Sequence, residues 1–98
     1  MTDEEKVTED MKELLFEFAE EIAEVIIEIK RADGLHGERF HSTKEWWGVM
    51  KEEFDELWDE IKNTKAEQTQ TFRMRKEAIQ CIAMLLKGMR GFIKGDKI

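Results

Sequence analysis

Residues 51–60 read Lys51-Glu52-Glu53-Phe54-Asp55-Glu56-Leu57-Trp58-Asp59-Glu60, six carboxylates in ten residues around three large apolar side chains. The apolar positions 54, 57, 58 and 61 fall three and four apart, which is helical spacing and not the alternation of a strand. Upstream, Ser42-Thr43-Lys44-Glu45 reads as a capping box, Ser42 accepting from the backbone three residues on while Glu45 reaches back. Asn63 is the stop. The helix between them has an apolar arc of Trp46, Trp47, Met50, Phe54, Leu57, Trp58 and Ile61.

At about 100° per residue the acids of this helix separate into two populations. Glu53, Glu56 and Glu60 share a strip that borders the apolar arc and contains Val49, whereas Glu52, Asp55 and Asp59 lie on the far side and face water. The plainest reading of the strip is a solvated helix shoulder. If its acids point inward, they form a candidate metal site.

Working towards the N-terminus, Thr2 with Glu5, or Thr8 just before Met11, opens a first helix, with residues 1–10 polar and prone to fray. Met11, Leu15, Phe18, Ile22, Val25, Ile29 and Ala32 then recur at steps of four and three, a heptad seam predicting one helix of about 25 residues that Gly34 ends. That length exceeds what a lone three-helix monomer needs, so part of the surface is expected to meet another chain. Residues 34–42 form a loop holding His36, Arg39, Phe40 and His41. Towards the C-terminus, residues 63–70 are a polar connector. A third helix follows from about Thr71 to Met89 or a little beyond, with a core stripe of Phe72, Ala78, Ile79, Ile82, Leu85, Leu86, Met89 and Ile93. Cys81, Ala83 and Met84 carry its apolarity nearly all round, and residues 94–98 are expected to fray. The prediction is an all-α single domain over residues 1–98 with three main helices.

Composition bounds the function. A 98-residue chain is only marginally able to bury enough surface alone, which favours oligomers. The net charge is −7, with 12 acids against 4 bases in residues 1–33 and 3 against 8 in residues 64–98. The acidic total argues against general binding to nucleic acid or to an anionic membrane, while the basic last third suits local phosphate contact. No apolar run has the length of a membrane span. One cysteine, Cys81, permits no internal disulfide, and no basic-then-apolar signal pattern stands at the N-terminus; a soluble, cytoplasmic setting is the expectation.

Glu53 and Glu56 are three apart on one helix, and Glu77 and Gln80 are three apart on the next. Such pairs have neighbouring side chains, so two facing antiparallel helices would gather three carboxylates and an amide oxygen. Carboxylates ~5.5 Å apart repel by ~3 kcal/mol at an effective dielectric of ~20, so the cluster needs a cation or a proton. Mg²⁺ or Mn²⁺ suits oxygen ligands of this kind.

Glu53-x-x-Glu56 followed by Glu77-x-x-Gln80 resembles the paired Glu-x-x-Glu and Glu-x-x-Asp motifs of the all-α NTP pyrophosphatases, the superfamily of MazG and the dimeric dUTPases. Arg39-Phe40-His41-Ser42 ahead of the first glutamate is similar to the dCTP-pyrophosphatase branch, and Arg75-Lys-Glu-Ala-Ile-Gln-Cys-Ile-Ala-Met looks like short MazG-like proteins of phages and bacteria. The resemblance covers roughly residues 20–93. It implies a four-helix-bundle unit completed by oligomerisation, as a homodimer or homotetramer, that cleaves a nucleoside triphosphate to monophosphate and pyrophosphate with Mg²⁺ or Mn²⁺. Carried over by position, Glu53, Glu56 and Glu77 would be metal ligands with Gln80 beside them, and one of these acids or Glu60 would orient the attacking water. Phe40, His41 and Trp46 or Trp47 would edge the base, and Arg73, Lys76, Lys87 or Arg90 would neutralise phosphates.

Gln80 departs from the motif, because an amide brings no charge where the family has Asp. It favours the alternative of a non-catalytic acidic helical binding protein on the same fold, such as a phage-encoded inhibitor or a nucleotide sensor. Plainer readings stand beside the others too: the tryptophans as core or interface, Cys81 as core packing, His41 as a loop residue near an N-cap and the basic residues of the third helix as surface.

Overall fold

The computed structural model describes residues 1–63 and 68–92, with the backbone alone at 68–70 and at 92. The described residues are all-helical, with no strand among them, and form four helices: α1 (Asp3–Glu17), α2 (Ala19–His36), α3 (Thr43–Lys62) and α4 (Gln68–Phe92). The expectation of three main helices is corrected at Phe18, whose φ of −102° and ψ of 15° divide the heptad-patterned segment into α1 and α2. The hydrogen-bond ladder survives the bend, since Phe18 N–H donates to Leu14 O at 2.9 Å and Ile22 N–H to Phe18 O at 2.8 Å. Neither Gly nor Pro stands there. The bend falls where the helix begins to pack on α4: α2 buries Val25 and Ala32, whereas α1 buries no residue.

Local chemistry sets the helix ends. Thr2 caps α1, its Oγ1 accepting from Glu5 N–H at 3.1 Å, so residues 3–10 are helical where fraying was expected; Thr8 instead donates to Glu4 O. Gly34 does not end α2. The helix continues to His36 and stops at Gly37, which alone among the described glycines takes a positive φ, 85°. Ser42 caps α3 as predicted, accepting from Glu45 N–H at 3.1 Å, but the Glu45 carboxylate accepts from His41 N–H, one residue short of the Ser42 amide that a capping box uses. Asn63 closes α3. Ile93 and residues 94–98, expected in the core stripe and to fray, lie outside the described residues, as do residues 64–67 of the expected connector, while 68–70 belong to α4, which begins before Thr71.

Helix α4 lies between α2 and α3 and packs on both, while α1 packs only on α2. The buried core is Val25, Ala32, Met50, Ile79, Cys81, Ala83 and Met84, with Ile29, Phe40, Trp46, Val49 and Leu57 against it. This corrects the stripe expected of the last helix, because Phe72, Ile82, Leu85, Leu86 and Met89 are exposed. The face of α4 that meets its neighbours is the one with small or slender residues, where helices approach closely. Gly88 shows this: the Trp46 indole occupies the space a Cβ would need and donates from Nε1 to Met84 O at 3.0 Å.

Candidate metal centre and adjoining cleft

The acid strip of α3 faces α4. Glu53, Glu56 and Glu77 each present a carboxylate oxygen within 4.8 Å of the others. Glu53 Oε2 and Glu77 Oε2 are shielded from solvent and have no hydrogen-bond partner. Burial, then the charges of Glu56, Glu77, Glu28 and Glu52, pushes the Glu53 carboxyl up to about 7. The Glu77 carboxyl is raised as well, first by burial and next by Glu56. Burial of an unpaired carboxylate beside two others is unfavourable, and the charges of Lys76 near Glu77 and Arg31 near Glu53 do not reverse the upward shifts. The donor set, three carboxylates with two orphaned oxygens, therefore fits a hard divalent cation.

Gln80, one turn after Glu77 on α4, is half-buried and lines two clefts. The first, of about 490 Å³, runs between α2 and α3 over α4. Glu53 stands on its wall, and its basic residues are Arg31, Arg39 and Lys87, with Phe40 and His41 from the loop between α2 and α3. Lys87 is buried at 3% exposure, its Nζ 3.5 Å from Asp33 and 5.5 Å from the centre of the Phe40 ring. His41 Nδ1 is 2.9 Å from Glu45, and that contact lowers the Glu45 carboxyl. The second cleft, between α2 and α4, carries Lys76, Arg75 and Glu24. Arg75 is held there by Glu24 at 2.6 Å.

Compared with protein families, with curated proteins and with solved structures, this chain matches none. Its site is read from its own residues.

The predicted residues divide by position. Glu53, Glu56 and Glu77 come together, Gln80 is next to them, and Phe40, His41 and Lys87 line the adjoining cleft. Glu60, one turn further along α3, raises Glu77 through its charge. Trp46 is committed to the α4 backbone and Trp47 is 63% exposed; neither lines the cleft beside Glu53. Arg73 is exposed, and Lys76 faces the second cleft. Arg90 is paired with Asp33, donating to its two oxygens at 2.9 and 3.2 Å and also to Glu38 O; the pairing holds Asp33 below the usual carboxylate range.

Among the cleft residues that went unremarked as site residues in the sequence are Glu28, Arg31 and Arg39. Glu28 and Arg31 of α2 pair with each other, Arg31 Nε donating to Glu28 at 3.0 Å, and Arg39 follows Gly37 in the loop. Glu28 and Arg31 sit three apart in a helix rich in acids, where an i, i+3 ion pair is ordinary and points at no partner. Arg39 had a signal, its place directly before Phe40-His41.

Proposed function

We propose that this chain is a MazG-like nucleoside triphosphate pyrophosphohydrolase that works with Mg²⁺ or Mn²⁺ as a homodimer or homotetramer in a cytoplasmic setting, bacterial or phage-encoded. The observation that supports the reading is the convergence of Glu53, Glu56 and Glu77, with Glu53 standing on the wall of a cleft lined by Arg31, Arg39, Lys87 and Phe40. A phosphate chain needs both halves: cations for its non-bridging oxygens, and a carboxylate cluster that holds metal against it.

Bound at these carboxylates, a divalent cation supplies charge against the phosphates and lowers the pKa of a water. Glu53, Glu56 and Glu77 hold it, and the Gln80 carbonyl oxygen is the neutral donor beside them. Arg31, Arg39 and Lys87 bind and orient the phosphates. Glu60, or whichever of the clustered acids is not engaged with metal, accepts the proton of the attacking water. The water oxygen joins the α-phosphorus, the bond to the αβ-bridging oxygen breaks, and pyrophosphate leaves. Phe40 and His41, on the loop at the cleft, edge the base.

Gln80 favours a second reading, a binding protein of the same fold that holds nucleotide or a protein partner without turnover. Pyrophosphate release across a panel of NTPs and dNTPs with Mg²⁺ separates the two. The enzyme releases pyrophosphate from at least one nucleotide and loses that activity on Glu77→Gln; no release from any member refutes the enzymatic reading and leaves the binding one.

A further inference from the structure

The chain leaves most of its large apolar side chains uncovered. A face between α2 and α4 is walled by Phe18, Ile22, Ile26, Ile82 and Leu86, around a groove of about 560 Å³. Beyond it α1 carries Val7, Met11, Leu14 and Leu15 exposed along one side, packs on nothing but α2, and buries none of its residues. The accessible surface is 7831 Å², against about 5,900 Å² for a folded monomer of this mass. The radius of gyration is 16.2 Å, where a compact 100-residue domain has about 13 Å. The surplus surface is about 1,900 Å² per chain, and twice that lies in the range of roughly 2,000–5,000 Å² that obligate homodimers bury.

Charge selects the element that covers the face. Helix α1 holds seven acids and two bases, a net −5, whereas α4 holds five bases and one acid, a net +4. An α1 laid along its own kind would meet a net −5; laid along the α2–α4 face of a neighbour it meets the net −3 of α2 offset by the net +4 of α4, with its apolar side on the groove.

We infer that a second copy of this chain covers the α2–α4 face, and that the element it inserts is its α1. The exchange is reciprocal, each copy giving α1 and receiving its partner's, so the contact closes on a two-fold axis. This takes up the association of copies in the function proposed above and assigns it to named surfaces. Its test reads mass and cross-links instead of pyrophosphate, so either can fail while the other stands.

Light scattering on the full chain is expected to give twice the 11.7 kDa chain mass, or a multiple of that dimer. Leu15→Glu lowers the mass while far-UV circular dichroism keeps its helical signal, since the Leu15 side chain is exposed within the chain. A wild-type monomer at micromolar concentration overturns the inference and hands the face to a different partner. An assembly that Leu15→Glu leaves intact overturns α1 as the inserted element. Mixing Leu15→Cys chains with mass-tagged Leu86→Cys chains under oxidant is the independent check. Disulfides between unlike chains support the exchange; none, or only like-chain ones, refute it.

Discussion

Glu53→Gln keeps the shape of the side chain and removes a charge that the structure disfavours. The Glu53 carboxyl stands at about 7 against its ordinary 4.5. At about 1.4 kcal/mol per pKa unit the shift is worth roughly 3 kcal/mol, and partial exposure reduces it to about 2 kcal/mol. The sign is fixed by linkage. Below pH 4.5 the folded and unfolded chains both hold the proton and the penalty is absent. It grows as pH rises and is complete above about 7, where the folded chain too must ionise. Glu53→Gln is therefore expected to melt about 10 °C above wild type at pH 8 in EDTA, at about 4–8 °C per kcal/mol for a domain of this size. Near pH 4 the two should coincide. Thermal melts followed at 222 nm make the comparison. Millimolar Mg²⁺ adds a second axis: it should raise the wild-type melting point at pH 8, by about 1.4 kcal/mol of stability at ten times Kd, and leave the Gln variant nearly unmoved. A variant no more stable than wild type at pH 8, or stabilised equally at both pH values, would refute the burial argument. A Mg²⁺ shift of the same size in both proteins would refute Glu53 as a ligand.

Gln80→Asp places a fourth carboxylate beside the cluster; Mn²⁺ titration calorimetry should show about tenfold tighter binding, and metal-free stability at pH 8 should fall through like-charge repulsion. Unchanged or weaker Mn²⁺ affinity would remove Gln80 from the site. Cys81 is buried and its thiol is pushed up to about 11, first by burial and then by Glu53, Glu77 and Glu56, so a thiol reagent at pH 8 should label it only as denaturant unfolds the chain. Prompt stoichiometric labelling of the folded protein contradicts that placement. Gly88→Ala gains about 1 kcal/mol of helix propensity yet drives a methyl into the Trp46 indole, and overpacking of this kind costs about 1–3 kcal/mol. The urea midpoint should fall; a rise would mean that Trp46 moves aside freely.

Local chemistry wrote much of the architecture into the chain. Ser42 and Asn63 mark the ends of α3 because a capping hydroxyl and a stop residue act within a few residues of themselves. The sorting of Glu53, Glu56 and Glu60 from Glu52, Asp55 and Asp59 follows from helical period alone; in the fold Glu53 and Glu60 are half-buried, whereas Glu56 is exposed, as Glu52, Asp55 and Asp59 are. That Glu77 would meet Glu53 and Glu56 was legible because an i, i+3 pair on each of two facing helices leaves little choice of register.

Tertiary packing decided the rest. No local signal divides α1 from α2 at Phe18, since the heptad pattern runs straight through it; the bend comes where contact with α4 begins. Gly34 reads as the stop, and the packing of Ala32 and the pairing of Asp33 with Lys87 and Arg90 carry the helix past it to Gly37. Glu28 and Arg31 reach the cleft because α2 crosses the face of α4, a fact of position that no spacing within α2 encodes. Sequence by itself determined the helices and which acids share a face, because both depend on residues a few positions apart. Which face of α4 is buried, and what stands opposite the acids, depended on distant helices meeting, and only the folded chain brings those together.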